Sequence, residues 1–186
     1  MNKCKIIGGM LLAMGMVGSA AGAEAGDKRF YAGASIGEAS ADACDELKSS
    51  GATSCDDSDT GWKIFGGYQL TENFAAEGAW VDLGEVSATG PGGSAGIEID
   101  GVMIDAKGIL PINDQFGVFG KLGFIMWNAD GTGGISGTDD DGTDLAYGLG
   151  AHYMFNEQLG IVGEWERFDL DGEDVDLLSA GAIVKF

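Results

Sequence analysis

The sequence predicts an all-β protein, an eight-stranded antiparallel up-and-down transmembrane β-barrel. Three observations lead there. Eight stretches alternate with period two, and each carries an uncharged column of side chains along most of its length although 22% of the chain is charged. The connections between those stretches run long and short in turn. The aromatic residues of the uncharged column sort onto two levels, near its two ends.

Taken in order, the chain begins MNKCKIIGGMLLAMGMVGSAAGA. Lys3 and Lys5 precede an apolar run over residues 6–17, and small residues close it at Ala21-Gly22-Ala23, the pattern of a secretory signal peptide over residues 1–23. The run is too short to cross a bilayer as a helix. Cys4 stands before the run rather than at the cut, so it is no lipid-attachment cysteine. Residues 24–186 are expected to form one barrel domain.

Strands are predicted over residues 30–37, 61–70, 74–82, 97–110, 115–127, 145–155, 159–168 and 175–186, with turn chemistry between them. The second and third are joined by TEN, the fourth and fifth by PIND, the sixth and seventh by NEQ. The other four connections are longer or more acidic. Outer-membrane barrels place tight turns in the periplasm and long loops outside, and this rhythm fits them.

The closing stretch VDLLSAGAIVKF illustrates the alternation. Phe186, Val184, Ala182, Ala180 and Leu178 form one column, against Lys185, Ile183, Gly181, Ser179 and Leu177 in the other. A charge-free run along one column of every strand is what hydrocarbon requires of a lipid-facing surface. Trp62, Trp80, Tyr147 and Trp165 lie at strand ends next to long loops, while Tyr68, Phe74, Phe116, Tyr153 and Phe155 lie next to short turns, joined by Phe30 and Phe186 at the termini. Amphipathic rings favour the two membrane–water interfaces, so the two groups read as two aromatic girdles.

The opposite column collects Lys63, Glu77, Asp105, Lys107, Lys121, His152, Glu164, Glu166 and Lys185. Four acids, four bases and one histidine inside a strongly acidic chain imply mutual pairing, because a buried unpaired charge is costly. Gly33, Gly67, Gly117, Gly123, Gly148, Gly150, Gly160 and Gly181 share that column and leave room for long side chains. Eight strands enclose a lumen that their own side chains can fill, so a plugged barrel is expected rather than an open pore. A low-conductance channel gated by this cluster is the alternative. A lipocalin-like soluble barrel, the structural rival, would turn its apolar column inward and its charges outward.

The formal net charge of −20 argues against nucleic acid as a partner. Cys44 and Cys55 form a close pair in an exported chain, which reads as a disulfide stapling the first long connection; a metal pair is the weaker reading, with no His or further Cys nearby. Acidic runs such as TDDDGTD and DLDGEDVD are read as extracellular loops; their spacing does not match an EF-hand, and loosely held divalent ions bridging to anionic lipid head groups are one use for them. Catalysis is not expected. His152 and Glu164 share a facing on neighbouring strands, but Ser179 is too far to complete a nucleophilic set. No catalytic residue, cofactor or specific metal site is assigned.

The segments GWKIFGGYQLTENFAAEGAWVDLGE, LPINDQFGVFGKLGFIMW, YGLGAHYMFNEQLGIVGEWERF and LLSAGAIVKF resemble the membrane domain of OmpA-like outer-membrane proteins. The resemblance covers essentially all of residues 24–186. It implies an integral barrel of the Gram-negative outer membrane, inserted by the outer-membrane assembly machinery, with Phe186 as both interface anchor and insertion signal. It also implies lumen ion pairs at Glu77, Lys107 and Lys121. Many relatives carry a peptidoglycan-binding domain, and no such domain is expected here. The partners expected are outer-membrane lipid and lipopolysaccharide, with surface ligands met through the acidic loops, on a barrel expected to be a monomer with a role in envelope integrity; lipid modification is a third, lesser alternative.

Overall fold

The computed structural model describes residues 29–41, 54–56, 58–90, 93–133, 139–170 and 172–186. The expected signal peptide and Cys44 lie outside them, and so does the expected disulfide. The described residues form β1 (Phe30–Ala41), β2 (Ser54–Asp56), β3 (Ser58–Gln69), β4 (Phe74–Gly90), β5 (Gly93–Pro111), β6 (Phe116–Gly133), β7 (Asp139–Met154), β8 (Leu159–Leu170) and β9 (Glu173–Lys185). All pairings are antiparallel. Eight of the strands close on themselves: β1 pairs with both β3 and β9, and β4 with both β3 and β5. Closure leaves no unpaired edge within the bilayer, where water cannot satisfy one. The ninth strand, β2, is a three-residue piece laid against the upper part of β4, opposite Ser87–Thr89.

The three tight connections share one construction. Thr71 Oγ1 accepts hydrogen bonds from the amides of Asn73 (3.2 Å) and Phe74 (3.1 Å). Asn113 Oδ1 accepts from Gln115 and Phe116 at 2.9 and 2.8 Å, and Asn156 Oδ1 from Gln158 and Leu159 at the same distances. A short side-chain oxygen at the first turn position thus satisfies the amides that re-enter the ladder, which is why Thr or Asn stands there. At the seam, Phe30 and Phe186 exchange backbone hydrogen bonds of 3.3 and 2.8 Å and stack their rings 6.4 Å apart.

At the opposite end the strands run further than the sequence predicts. Much of the stretch over residues 83–96, expected as a long loop, is a β4–β5 ladder that continues as far as Gly90 and Gly93. β7 begins at Asp139, so most of TDDDGTD is strand, paired with β6, and in DLDGED the residues Asp169, Leu170, Glu173 and Asp174 belong to the β8–β9 ladder. Length was misjudged because acidic residues and glycine weaken strand propensity, whereas here cross-strand pairing overrides it. A bulge between Asp82 and Glu85 marks where β4 leaves the membrane level. Gly84 takes φ +74° there, a conformation glycine adopts without penalty, and its amide donates to Asp82 Oδ1 at 2.9 Å.

The outward column meets lipid as expected. Phe30, Ile64, Phe74, Ile104, Leu122, Leu149 and Leu178 are all exposed, as are Trp62 and Trp80. Apolar outward runs such as Val102–Leu110 and Phe116–Met126 have the nine to eleven residues a tilted strand needs to cross hydrocarbon. Trp165 is half-buried because Tyr147 meets it edge-on at 6.1 Å and the Arg167 guanidinium lies 5.5 Å over its ring.

Above the tryptophan level the two faces exchange character while the strands keep their phase. In β8, Trp165 faces out and Glu166 in; two residues on, Arg167 and Asp169 face out while Phe168 and Leu170 face in, both buried. In β9, Asp174 and Asp176 face out over Val175 and Leu177; in β4, Asp82 faces out over Val81 and Leu83. Once the outer solvent is water rather than hydrocarbon, the apolar column must turn inward, and the protein becomes an ordinary water-soluble barrel for its last turns.

Candidate functional site

The lumen has two storeys. The lower one lies within the membrane and holds the ionic side chains, delivered by strand periodicity from β3 (Lys63), β4 (Glu77), β5 (Asp105, Lys107), β6 (Lys121) and β8 (Glu164, Glu166). All are at most 6% exposed. Lys63 Nζ lies 2.9 Å from Glu164 and 2.5 Å from Glu166. Lys121 is the hub: it contacts Glu77, lies 2.7 Å from Glu164 and reaches Glu166 at 3.4 Å. Lys107 pairs with Glu77 at 3.2 Å. Three lysines are therefore shared among three glutamates from strands on opposite walls, which ties the barrel across its diameter.

Asp105 takes no part in this. It is 4% exposed, and neither carboxylate oxygen has a hydrogen-bond partner. His152 and Lys185, expected in the cluster, instead sit half-buried at the periplasmic mouth, where His152 stacks on Phe119 with centroids 6.2 Å apart. Ser179 meets Ser35 at 3.4 Å and no histidine.

Sequence reasoning missed the aromatic floor of the ion layer. Tyr31, Phe65 and Phe119 face inward, out of phase with the girdle rings, and each lies directly across the ladder from a glycine: Gly67, Gly33 and Gly150. A Cβ at Gly150 would stand 2.4 Å from the Phe119 ring, so the ring needs that bare backbone. Tyr31 donates its hydroxyl to Glu77 at 2.8 Å, and Lys107 Nζ lies 3.9 Å above the Phe119 ring. Desolvated ammonium–ring contacts of this kind contribute about 2 kcal/mol. The signal that could have found them is this direct pairing of an inward aromatic with an inward glycine on the neighbouring strand.

The upper storey is apolar. Val81, Ile125, Phe168 and Leu177 are fully buried, with Met103, Leu83, Val175 and Leu170 packed around them. Trp127 closes this lid from β6, its indole N–H donating to Asp144 at 2.7 Å. Among the described residues no group of His, Cys, Asp and Glu is arranged to hold a metal ion.

Outside, at the height where lipid head groups begin, the wall carries charge. Glu38, Asp82, Asp100, Asp130 and Asp141 ring the barrel just above the girdle. Burial pushes the Asp100 carboxyl up from its ordinary value, and its neighbours Asp82, Asp130 and Glu98 add to the effect. Arg167 is clamped by Asp176 through two 2.7 Å contacts and by Asp174 at 3.0 Å. Its hydrogen bonds to Asp176 raise the guanidinium further above its already high value.

A closed eight-stranded barrel with a lipid-facing apolar band, two girdles and an ion-filled interior is an integral outer-membrane barrel of a Gram-negative envelope. The chain belongs to the outer membrane protein beta-barrel domain family, whose model matches residues 9–186. Outer membrane protein A of Salmonella typhi is 27% identical over 190 residues, which cover 94% of this chain and 54% of that protein. The chain thus spans about half the length of the curated relatives it matches. The N-terminal β-barrel domain of Pseudomonas aeruginosa OprF superposes with a TM-score of 0.62 at 13% identity, over 85% of this chain and 98% of that one. Ail, the attachment invasion locus protein of Yersinia pestis, solved in complex with the heparin analogue sucrose octasulfate, gives 0.53 at 17% identity over 85% and 99%.

Proposed function

We propose that the protein is a closed, non-enzymatic stave of the outer membrane that supports the envelope and makes its contacts from its outer wall and rim. The filled lumen is the observation that carries this reading: a buried ion layer lies beneath an apolar lid, with Val81, Ile125, Phe168 and Leu177 at 0% exposure. An ion crossing it would have to shed water into a dry plug, which costs far more than thermal energy supplies. The contacts then fall to the carboxylates above the girdle and on β7. Phosphate-bearing lipid such as lipopolysaccharide is itself anionic, so it meets this ring through bridging divalent ions. Ail was solved with a sulfated polyanion; the acidic rim here repels that class and suits cationic surface ligands instead. Planar-bilayer recording tests the reading: well-folded protein is expected to be silent, and steady conductance would refute it.

A gated channel is the second reading, favoured by one observation. Lys121 touches Glu77, Glu164 and Glu166 at once, so a change of rotamer exchanges partners without leaving any carboxylate far from an ammonium. Conductance that changes with Lys121→Glu would support the channel over the closed stave.

A further inference from the structure

The ion layer does not balance. Glu77, Asp105, Glu164 and Glu166 face Lys63, Lys107 and Lys121, and every ammonium is committed to a glutamate. Asp105 is the carboxyl left over, nine-tenths buried and without a partner on either oxygen. The ladder explains why. Across from it on β6 stands Gly123, which offers no donor, and a Cβ there would come within 2.6 Å of Asp105 itself. Across on β4 stands Glu77, another acid. The remaining charged or titratable groups facing this layer are Lys107 on its own strand, Lys121 on β6, Lys63 on β3, Tyr31 on β1, and Glu164 and Glu166 on β8; β7 presents glycines at this height, with His152 lower at the mouth.

A lone carboxylate in such a place must be neutralised. A metal ion would need several oxygen ligands, and those present are already held by lysines. A proton needs none. We propose that Asp105 is a proton-binding site inside the barrel, carried in the folded protein as the neutral carboxylic acid and balancing the layer at three charges of each sign. The inference rests on the sealed lumen argued above; bilayer conductance would overturn that reading without moving the readouts used here.

The sign of the pH dependence follows from linkage. Above about pH 4 the unfolded chain has Asp105 ionised while the folded barrel still holds its proton. Each further pH unit therefore lowers the folding constant about tenfold, until the barrel itself loses the proton. In Asp105→Asn the amide is neutral at every pH, so this dependence disappears. The experiment refolds the full chain and the variant into lipid vesicles and compares urea unfolding from pH 4 to 9, with infrared spectra of the same samples. Expected are a carboxylic-acid C=O stretch at neutral pH that is absent from Asp105→Asn, and a wild-type to variant ratio of folding constants that falls as pH rises. In a second variant, Glu77→Gln, the layer balances with Asp105 ionised, and the band should vanish at neutral pH. A missing band in the wild type, a ratio independent of pH, stability that follows alkali-cation concentration instead, or a band that survives Glu77→Gln would each overturn the proposal.

Discussion

Replacing Lys121 with Met removes the hub of the ion layer while keeping most of the side chain's volume. The two contacts at 2.7 and 3.4 Å each carry about 5–6 kcal/mol of Coulomb attraction at an effective dielectric near 20. Most of that is cancelled by the desolvation of the same groups, which is why a buried pair is weak evidence of net stability. What the substitution exposes is the other side of the balance: Glu77, Glu164 and Glu166 remain dry with only Lys63 and Lys107 between them. Breaking a buried pair from one side costs about 3–5 kcal/mol, and Lys121→Met is expected to fall in that range. Adding Glu164→Gln returns the lysines and glutamates to equal number and should recover a large part of the loss. The assay is urea unfolding of refolded protein in vesicles, followed by the gel shift between folded and boiled forms. A loss under about 1 kcal/mol, the range of a solvent-exposed pair, would mean that water reaches the layer, and the closed-lumen argument would fall with it.

Three other outcomes are expected. Phe168→Ala, at a site of 0% exposure in the lid, should cost about 3–5 kcal/mol in the same assay; a loss under about 1 kcal/mol would show the lid to be loosely packed. Asp59 lies above the girdle, where the amides of Glu85 and Thr60 hold its carboxyl below the ordinary value. Its contribution is therefore present above about pH 4 and lost as pH falls through the depressed value, so the stability gap to Asp59→Asn should close on acidification; a gap constant with pH would refute this. In single-tryptophan variants, lipids with brominated acyl chains should quench Trp62 and Trp80, which are 40% and 41% exposed on the outer wall, much more than Trp127 at 7%. Equal quenching of all three would mean the wall and the interior have been exchanged.

Much of this was legible because a bilayer is a severe reader of sequence. One charged residue on the hydrocarbon face is expensive, so the outward column of each strand had to be apolar throughout, and strands such as 102–110 and 116–126 declared their facing without reference to any partner. The lid was not legible for the complementary reason. Its residues, Val81, Phe168, Val175 and Leu177, belong to the same column as Glu77, Glu164 and Ser179, and the change from polar to apolar along that column has meaning only once the height of the membrane surface is known. Reading the acidic stretches as loops stopped the strands at residues 82 and 168, just inside the lid, and hid the continuation that shows where the membrane ends. The signal was present in WERFDL and EDVDLL, where the alternation persists with its polarity reversed.

Local periodicity and turn chemistry, carried by residues two to four apart, determined the strands within the membrane, the side facing lipid, the girdles, the tight turns and the gathering of ionic groups inside. Which lysine meets which carboxylate depends on the stagger of strands around a closed ring, a property of all eight pairings together that no single segment encodes. That stagger sets Lys121 among three glutamates and Asp105 between Glu77 and a glycine, so only the tertiary structure decided that one acid in the interior would have no lysine to answer it.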